Sequence, residues 1–321
     1  MATKAKAGDK VKLKDWEDLE SLMIVDVNKH MRSNDAGDLE ENEEVENLFY
    51  NRRQPKFKRR VLSTEVNGEE MVVTSLFKLM EMFKVYGLNH TWVFVFEQWD
   101  KLMVEVDRNY VGNRVNMGHY YYDQVNTARK LLEEAGFTVL SNGAKSANST
   151  ISEVVKQNYD YYDKIGIFTS NHDLSYLVDD KVSWLNVKKT YADIHMDNYF
   201  QQNKCPYNSI LLKKALVGDR VANIKGAQGV GEKKFFKFLE HEGIYGEDVR
   251  GKEQEILENT TFLNDNQKEQ ALLCWDAVVP KGLNIDATAN DNFDVDVLRL
   301  IFRKYDFKSL LKALETEITS I

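Results

Sequence analysis

A glycine-rich turn followed by lysines is the segment whose residue types and spacing point most directly to chemistry. Residues 224–234 read Ile-Lys-Gly-Ala-Gln-Gly-Val-Gly-Glu-Lys-Lys. Glycines let the backbone turn sharply and let a ligand approach it closely, and amides at a helix start favour an anion. The segment predicts a phosphate site that reads no base sequence, with a tight turn between packed helices as the alternative. Its candidate binding residues are Gly226, Gly229, Gly231, Lys233, Lys234 and Lys237.

A second basic segment lies at residues 52–60, on a chain whose net charge is −8. The acidic balance argues weakly against a nucleic-acid partner, and acid concentrates at residues 38–46. Screening confines each charge to about 8–10 Å at ordinary salt, so a local basic surface on an acidic protein can still hold phosphates. We therefore take Arg52 and Arg53 as candidate phosphate contacts, with a solvated loop as the alternative.

Three acids, Asp26, Glu97 and Asp173, each follow an apolar run that is typical of a buried strand. Unbroken apolar runs fit a parallel sheet that is covered on both faces. Such sheets place their chemistry at the carboxyl ends of the strands. The three acids are therefore predicted to converge, although a single acid after a strand is commonly a turn residue or a helix cap.

The elements that must position these residues alternate between strand and helix up to about residue 200. This alternation predicts the α/β class with a parallel sheet, and helices alone are predicted afterwards. Residues 37–67 are polar and aperiodic, which predicts a long loop or an exposed helix. The predicted strands are 21–26, 91–97, 136–140, 164–169 and 182–187. The predicted helices are 72–86, 120–135, 151–158, 208–217, 233–241, 252–258, 266–275, 295–305 and 307–317.

Two domains are predicted from this change of pattern. An α/β domain spans residues 1–205, with a flexible tail over 1–18, and a helical domain spans 206–321. Hydrophobic residues make up 43% of the chain, enough for a buried core. Cys205 and Cys274 cannot build a disulfide framework. With neither an apolar run long enough to span a membrane nor a signal peptide in the sequence, we expect a cytoplasmic protein.

The order and spacing of the motifs resemble the 5′–3′ exonuclease and flap endonuclease family in its phage or bacterial form. Residues 218–226 and 229–233 resemble the family's G-D-x-x-D-N-I-x-G and G-I-G-x-K segments. Residues 24–28 and 93–97 resemble two strand motifs, and residues 168–174 resemble an acid-x-acid segment. The arch motif Y-K-x-N-R is matched by Tyr110, Asn113 and Arg114, with Val111 in place of lysine.

The resemblance implies a PIN-like or resolvase-like α/β domain followed by a helix–three-turn–helix element that grips duplex DNA, often with K⁺ bound at the turn. It implies that the arch residues also contact DNA. In the family, two Mg²⁺ or Mn²⁺ ions held by a crowd of acids hydrolyse a phosphodiester. DNA is the implied partner, with replication proteins as further candidates.

The acidic pattern of the family is incomplete in this chain. Asp26, Asp173 and Asp219 match family acids, and Glu97 stands where aspartate is usual. Neutral side chains cannot replace carboxylates as hard anionic ligands. The remnant catalytic set is therefore predicted to bind metal only weakly or partially. Five expected acids are replaced by Ser146, Asn148, Ser149, Asn171 and Ala222.

Two functions follow from different classes. The first is a DNA-binding protein of this family that recognises duplex, branched or flapped DNA and has weak or lost nuclease activity. The second is an active Mg²⁺- or Mn²⁺-dependent structure-specific 5′ nuclease of replication or repair (a flap endonuclease, 5′–3′ exonuclease or RNase H-like enzyme). Deliberate replacement of the acids to trap a complex is a third explanation, although the loss of the arch lysine favours natural divergence.

Overall fold

The computed structural model describes residues 10–35, 63–66, 69–97, 119–141, 147–187, 192–220, 222–280 and 282–318. Several predicted site residues lie outside these ranges, and their roles stay predictions. They are Arg52, Arg53, Tyr110, Asn113, Arg114 and Ser146.

Five parallel strands form one sheet in the order β5-β4-β1-β6-β7. A separate antiparallel hairpin is formed by β2 and β3. This sheet, with helices after it, confirms the predicted α/β class. The strands are β1 (Ser21–Asp26), β2 (Ser63–Val66), β3 (Glu69–Val72), β4 (Thr91–Phe96), β5 (Thr138–Ser141), β6 (Lys164–Phe168) and β7 (Val182–Leu185).

Eleven helices are found in the described part of the chain, together with short 3₁₀ helices at Leu13–Trp16, His172–Leu177 and Met196–Asn198. The helices up to residue 203 are α1 (Val27–Asp35), α2 (Thr74–Tyr86), α3 (His119–Glu134), α4 (Ala147–Asn158) and α5 (Tyr199–Asn203). Those after it are α6 (Ile210–Val217), α7 (Glu232–His241), α8 (Glu253–Asn259), α9 (Asp265–Val278), α10 (Val295–Lys304) and α11 (Lys308–Ile318). None of these described helices has the length and apolar character needed to cross a membrane.

Helices cover both faces of the sheet. Successive side chains of a strand point to opposite faces, and the apolar side chains of β1 are buried on both. Leu22 and Ile24 of β1 belong to a cluster that continues through α4, α6, α7 and α9. Met23 and Val25 belong to the opposite cluster, with α2, α3, α10 and α11. The last two helices therefore return to the N-terminal sheet. The predicted boundary at residues 205 and 206 stays a prediction, and it does not separate two cores.

The expected flexible tail over residues 1–18 is corrected for residues 10–18. Lys10 Nζ lies 2.7 Å from Asp193 Oδ1, and the amide of Val11 donates to Asp193 Oδ2 at 2.8 Å. Trp16 is buried. An apolar ring and two contacts to one carboxylate hold this segment against the folded chain.

Three further features differ from expectation. The loop or exposed helix expected over residues 37–67 is wrong for Ser63–Val66, which pairs with Glu69–Val72 as a hairpin. The helix α1 follows β1 directly and was not predicted, because Val27–Asp35 is mostly polar. The helix α4 begins at Ala147, four positions earlier than predicted, because buried Ser149 and Thr150 mask its apolar periodicity.

The buried His30 ties α1 to α2 and should make the fold sensitive to acid. Its Nε2 lies 3.3 Å from the carbonyl oxygen of Lys78. Burial lowers the pKa of His30 to about 4 from its ordinary 6.5. The neutral ring therefore stabilises the fold fully above pH 6.5, and this stability is lost as the pH falls towards 4.

We expect the wild-type chain to lose about 2 kcal/mol more unfolding free energy than His30→Gln between pH 7 and pH 4.5. Glutamine can donate to the same carbonyl but does not titrate. Urea denaturation at the two pH values measures the difference. Equal losses in both proteins would contradict this assignment.

Candidate functional site

Asp26 ends the central strand and is built into the protein by its own hydrogen bonds. Val25 pairs with Phe168, so Asp26 and Thr169 leave the sheet side by side. Thr169 Oγ1 donates to Asp26 Oδ2 at 2.8 Å, and the amide of Lys29 donates to Oδ1 at 3.2 Å. Burial raises the pKa of Asp26 to about 6, against the opposing effect of the Thr169 hydrogen bond. Both carboxylate oxygens therefore already accept from protein donors.

Glu97 follows the neighbouring strand β4 and lies close to Asp26, as the strand-end argument predicts. Its backbone amide donates to Asn28 Oδ1 at 2.8 Å, so α1 fixes the backbone at this point. Its charge adds to the larger effect of burial in raising the pKa of Asp26. These two acids therefore converge at the carboxyl edge of the sheet.

Asn171 and Asn148, two positions at which the resemblance predicts acids, form a direct amide pair. Asn171 Nδ2 donates to Asn148 Oδ1 at 2.9 Å. The backbone amide of Asn171 donates to Thr169 Oγ1 at 3.0 Å, and Asn171 Oδ1 accepts from the backbone amide of Asp173 at 3.2 Å. Two carboxylates could not make this contact without a shared proton or a cation. Asn171 therefore links the Asp26 side of the edge to Asp173.

Lys214 in α6 is the residue that sequence reasoning missed. Its ammonium makes direct ion pairs with Asp173 and with Asp219 Oδ2, the latter at 2.6 Å. Burial alone would lower the pKa of Lys214, but the two carboxylates outweigh it and the pKa lies above its ordinary value. The only hint in the sequence is a lysine in the last helical turn before Gly218 and Asp219.

Ser149 and Ala222, two further positions at which the resemblance predicts acids, have different surroundings. Ser149 is buried and lines a cavity of about 430 Å³ together with Tyr176 and Trp275. The amide of Ala222 donates to Asp219 Oδ1 at 3.2 Å. Neither residue brings a further anionic ligand to the edge.

The described residues do not fit a two-ion centre. Within the described ranges, no three His, Cys, Asp or Glu side chains come together in a way that could hold a metal ion. Asp26 accepts two protein hydrogen bonds, while Asp173 and Asp219 share an ammonium. Magnesium prefers several hard oxygen ligands in octahedral geometry. Weak metal binding at Asp26 and Glu97 stays a prediction.

The first half of the glycine segment, residues 218–226, has a packing role. Gly226 in this half was predicted to contact a ligand. Gly226 has a φ of +72°, and a Cβ added to it would lie 2.5 Å from both Gly218 N and Val217 C. Asp219 and Ile224 exchange backbone hydrogen bonds of 2.8 Å in both directions. Gly226 is therefore required by the contact between two turns of the chain.

The second half, residues 229–233, leads into α7. The backbone amides at the start of this helix are available to a ligand. Gly231 is the N-cap residue, and a Cβ added to it would meet nothing within 4 Å. Among the described residues, none accepts a hydrogen bond from the amides of Gly231, Glu232 or Lys233. Gly229 has a φ of +76°, which glycine adopts without strain. This half retains the geometry of an anion site.

The lysines of this segment are not equivalent. Lys233 and Lys237 are exposed on α7. Lys234 Nζ donates to Gln267 Oε1 at 2.8 Å and lies 5.8 Å from the centre of the Phe262 ring. Lys234 therefore contributes to packing, and the exposed pair carries the available charge. The helix–three-turn–helix assignment and K⁺ at the turn stay predictions.

The two halves should respond differently to alanine. Gly226→Ala forces a side chain into a backbone contact at positive φ, and we expect it to cost about 2–4 kcal/mol of unfolding free energy. Gly231→Ala has open space and a φ of −99°, and we expect a cost of no more than about 1 kcal/mol. Urea denaturation of both variants measures this contrast. Similar losses of unfolding free energy in the two variants would show that the glycine segment is not divided into a packing half and a ligand-facing half.

The amino-acid sequence of the chain is similar to those of DNA polymerase I and 5′-3′ exonuclease proteins. No family model matches the chain. It is 28% identical over 233 residues to DNA polymerase I of Streptococcus pneumoniae, a match that covers 68% of this chain and 26% of that protein. It is 25% identical over 230 residues to a 5′-3′ exonuclease of Mycoplasmopsis pulmonis, covering 66% of this chain and 74% of that protein. The chain thus spans about a quarter of the length of the DNA polymerase I relatives.

Solved structures share the fold at low identity. The flap endonuclease of bacteriophage T5, in a pseudo-enzyme–product complex with DNA and metal ions, superposes with a TM-score of 0.55 at 16% identity, covering 92% of this chain and 100% of that one. The catalytic core of Rad2 with a DNA substrate gives 0.53 at 15% identity, covering 99% and 95%. The chain is therefore a relative of the 5′–3′ exonucleases and has the fold of the flap endonuclease family of 5′ nucleases.

Proposed function

We propose that this chain binds duplex, branched or flapped DNA through phosphate contacts and has little or no nuclease activity. The observation that carries the proposal is that Asp26, Asp173 and Asp219 are already hydrogen-bonded or ion-paired to protein groups, whereas the start of α7 leaves amides available. The site is thus organised for binding at the start of α7, and the described residues of the acidic edge include no acid cluster that could hold a metal ion.

Phosphate binding is supported by two properties of α7 and by the structures that share the fold. Its N-terminal amides have no acceptor among the described residues, and the helix dipole favours an anion at that end. Lys233 and Lys237 lie one turn apart and are exposed. The T5 and Rad2 structures of the same fold are DNA complexes. Contacts of this kind position a duplex but read no sequence.

Loss of catalysis is supported by the state of the remaining acids. Two-ion phosphodiester hydrolysis needs carboxylates that are available to both ions. Here Asp173 and Asp219 are paired with Lys214, and Asn171 pairs with Asn148. If Mg²⁺ or Mn²⁺ binds this edge, the binding is weak and rests on Asp26 and Glu97. Replication proteins remain proposed partners.

The second candidate is an active metal-dependent 5′ nuclease with fewer ligands. The convergence of Asp26 and Glu97 at neighbouring strand ends favours it, since one acidic pair is retained. A relative that bears the name 5′-3′ exonuclease also favours it. The two candidates differ in whether the chain cuts a flap.

A cleavage assay separates these candidates. The purified chain is incubated with a labelled 5′-flap duplex in Mg²⁺ and, separately, in Mn²⁺. We expect no cleavage above the level of an Asp173→Ala variant, because that level reports contaminating nuclease. Robust cleavage by the wild-type chain that Asp173→Ala abolishes would overturn the proposal.

DNA binding is tested in EDTA, so that no divalent ion contributes. Lys233→Ala/Lys237→Ala should weaken binding of a flapped duplex and flatten the dependence of log K on log salt by about 2, since each phosphate contact contributes about 0.9. Fluorescence anisotropy across a salt series measures both effects.

The matched control is Lys308→Ala/Lys312→Ala. It removes the same charge at the same spacing from α11, which packs in the cluster on the opposite face of the sheet. The control should bind like the wild-type chain. An equal effect of both double variants would show that net charge, and not the α7 site, governs binding.

A further inference from the structure

The ion pairs of Lys214 define a cation position within the polar edge. The side chain of Lys214 is 12% exposed, and its ammonium contacts one carboxylate from the loop after β6 and one from the turn after α6. These are Asp173 and Asp219, two of the four acids that the family resemblance assigns to metal binding. The protein thus supplies a cation of its own at the place where the resemblance implies a divalent ion.

We propose that the Lys214 ammonium is a built-in counter-ion that occupies the Asp173–Asp219 pair and keeps divalent ions out of it. The chain holds this part of its edge together without metal. Which cation the acid pair holds does not depend on whether the chain binds DNA.

Competition at this position favours the ammonium for electrostatic reasons. A divalent ion would have to displace a tethered, largely buried cation or sit beside it, and like charges at a few ångströms repel strongly at low dielectric. It would also have to shed water for only two carboxylates, which Mg²⁺ does reluctantly. The intramolecular lysine needs no such association step and is present at a high effective concentration.

The same contacts position the phosphate-binding segment. Asp219 lies at the start of the turn that Gly218 and Gly226 close, and its Oδ1 accepts from the amide of Ala222. Asp173 lies in the first turn of the short helix after β6, and its backbone amide donates to the Oδ1 of the N-cap residue Asn171. Lys214 therefore joins the sheet edge to the turn that leads into α7.

The neighbouring Lys213 provides a matched control on the same helix. Its ammonium lies 3.1 Å from Glu232 Oε1 and donates to the carbonyl oxygen of Lys204 at 3.1 Å. It is similarly buried, at 16% exposure, but it contacts neither Asp173 nor Asp219 in any described ion pair. Removing it changes the net charge by the same amount without opening the acid pair.

The test measures Mn²⁺ binding to the full chain without DNA, by electron paramagnetic resonance of the free ion. Lys214→Met keeps the aliphatic stem and removes the charge. We expect Lys214→Met to gain one Mn²⁺ site at the Asp173–Asp219 pair. Its dissociation constant should be at least tenfold lower than that of any Mn²⁺ site at this pair in the wild-type chain. Adding Asp219→Asn to Lys214→Met should abolish the gain, and Lys213→Met should bind Mn²⁺ like the wild-type chain.

A second measurement keeps the inference testable if Lys214→Met does not fold. Asp219→Asn alone should leave Mn²⁺ binding of the wild-type chain unchanged, because Lys214 already excludes the ion. A loss of Mn²⁺ binding on Asp219→Asn would overturn the inference, as would a folded Lys214→Met without a gained site. Failure of DNA binding would leave these results untouched, so the two proposals fail separately.

Discussion

The parallel pairing of β1 with β4 and β6 is the constraint on which the rest of the molecule depends. Every residue of β1 is buried, and both of its backbone edges are used in the sheet. Its carboxyl end therefore cannot shift unless both neighbours move. Asp26, Thr169 and Glu97 emerge together for this reason. The shape of the site edge follows from backbone pairing, so the edge can lose acidic side chains and keep its geometry.

Asp26, Asn171, Asp173 and Asp219 at that edge are each paired with another protein side chain. Buried polar atoms need partners, and an unpaired buried charge costs several kcal/mol, on the order of 3–5 when one partner of an ion pair is removed. Thr169 binds Asp26, Asn171 binds Asn148, and Lys214 binds both Asp173 and Asp219. In a metal-dependent site, acids must stay available to ions. Here the same positions are used to hold the loop after β6 against α4 and α6.

The glycine segment combines two separate demands on the backbone. Gly218 and Gly226 allow two turns to touch through their backbones, which is a packing requirement. Gly231 has open space in front of it and stands at the start of an amphipathic helix, where amides point outward. One short stretch of sequence therefore belongs partly to the core and partly to the surface. A motif match alone treats these glycines as equivalent.

The sequence by itself determined the sheet and most of the helices. All five predicted strands are present, because long apolar runs bounded by polar residues admit few other structures. Which acids of the family pattern are missing stays a prediction from the resemblance. The sequence did not reveal α1 or the hairpin of β2 and β3, since their periodicity is short or mostly polar.

Only the tertiary structure decided how the remaining acids are paired. Lys214 and Asp173 are 41 positions apart in the chain, and nothing local in the sequence connects them. Their contact exists because α6 packs beside the loop after β6. It likewise decided that Lys234 turns towards Gln267 while Lys233 and Lys237 stay exposed. Charge pairing depends on distances across the fold, and those distances are set by packing rather than by sequence separation.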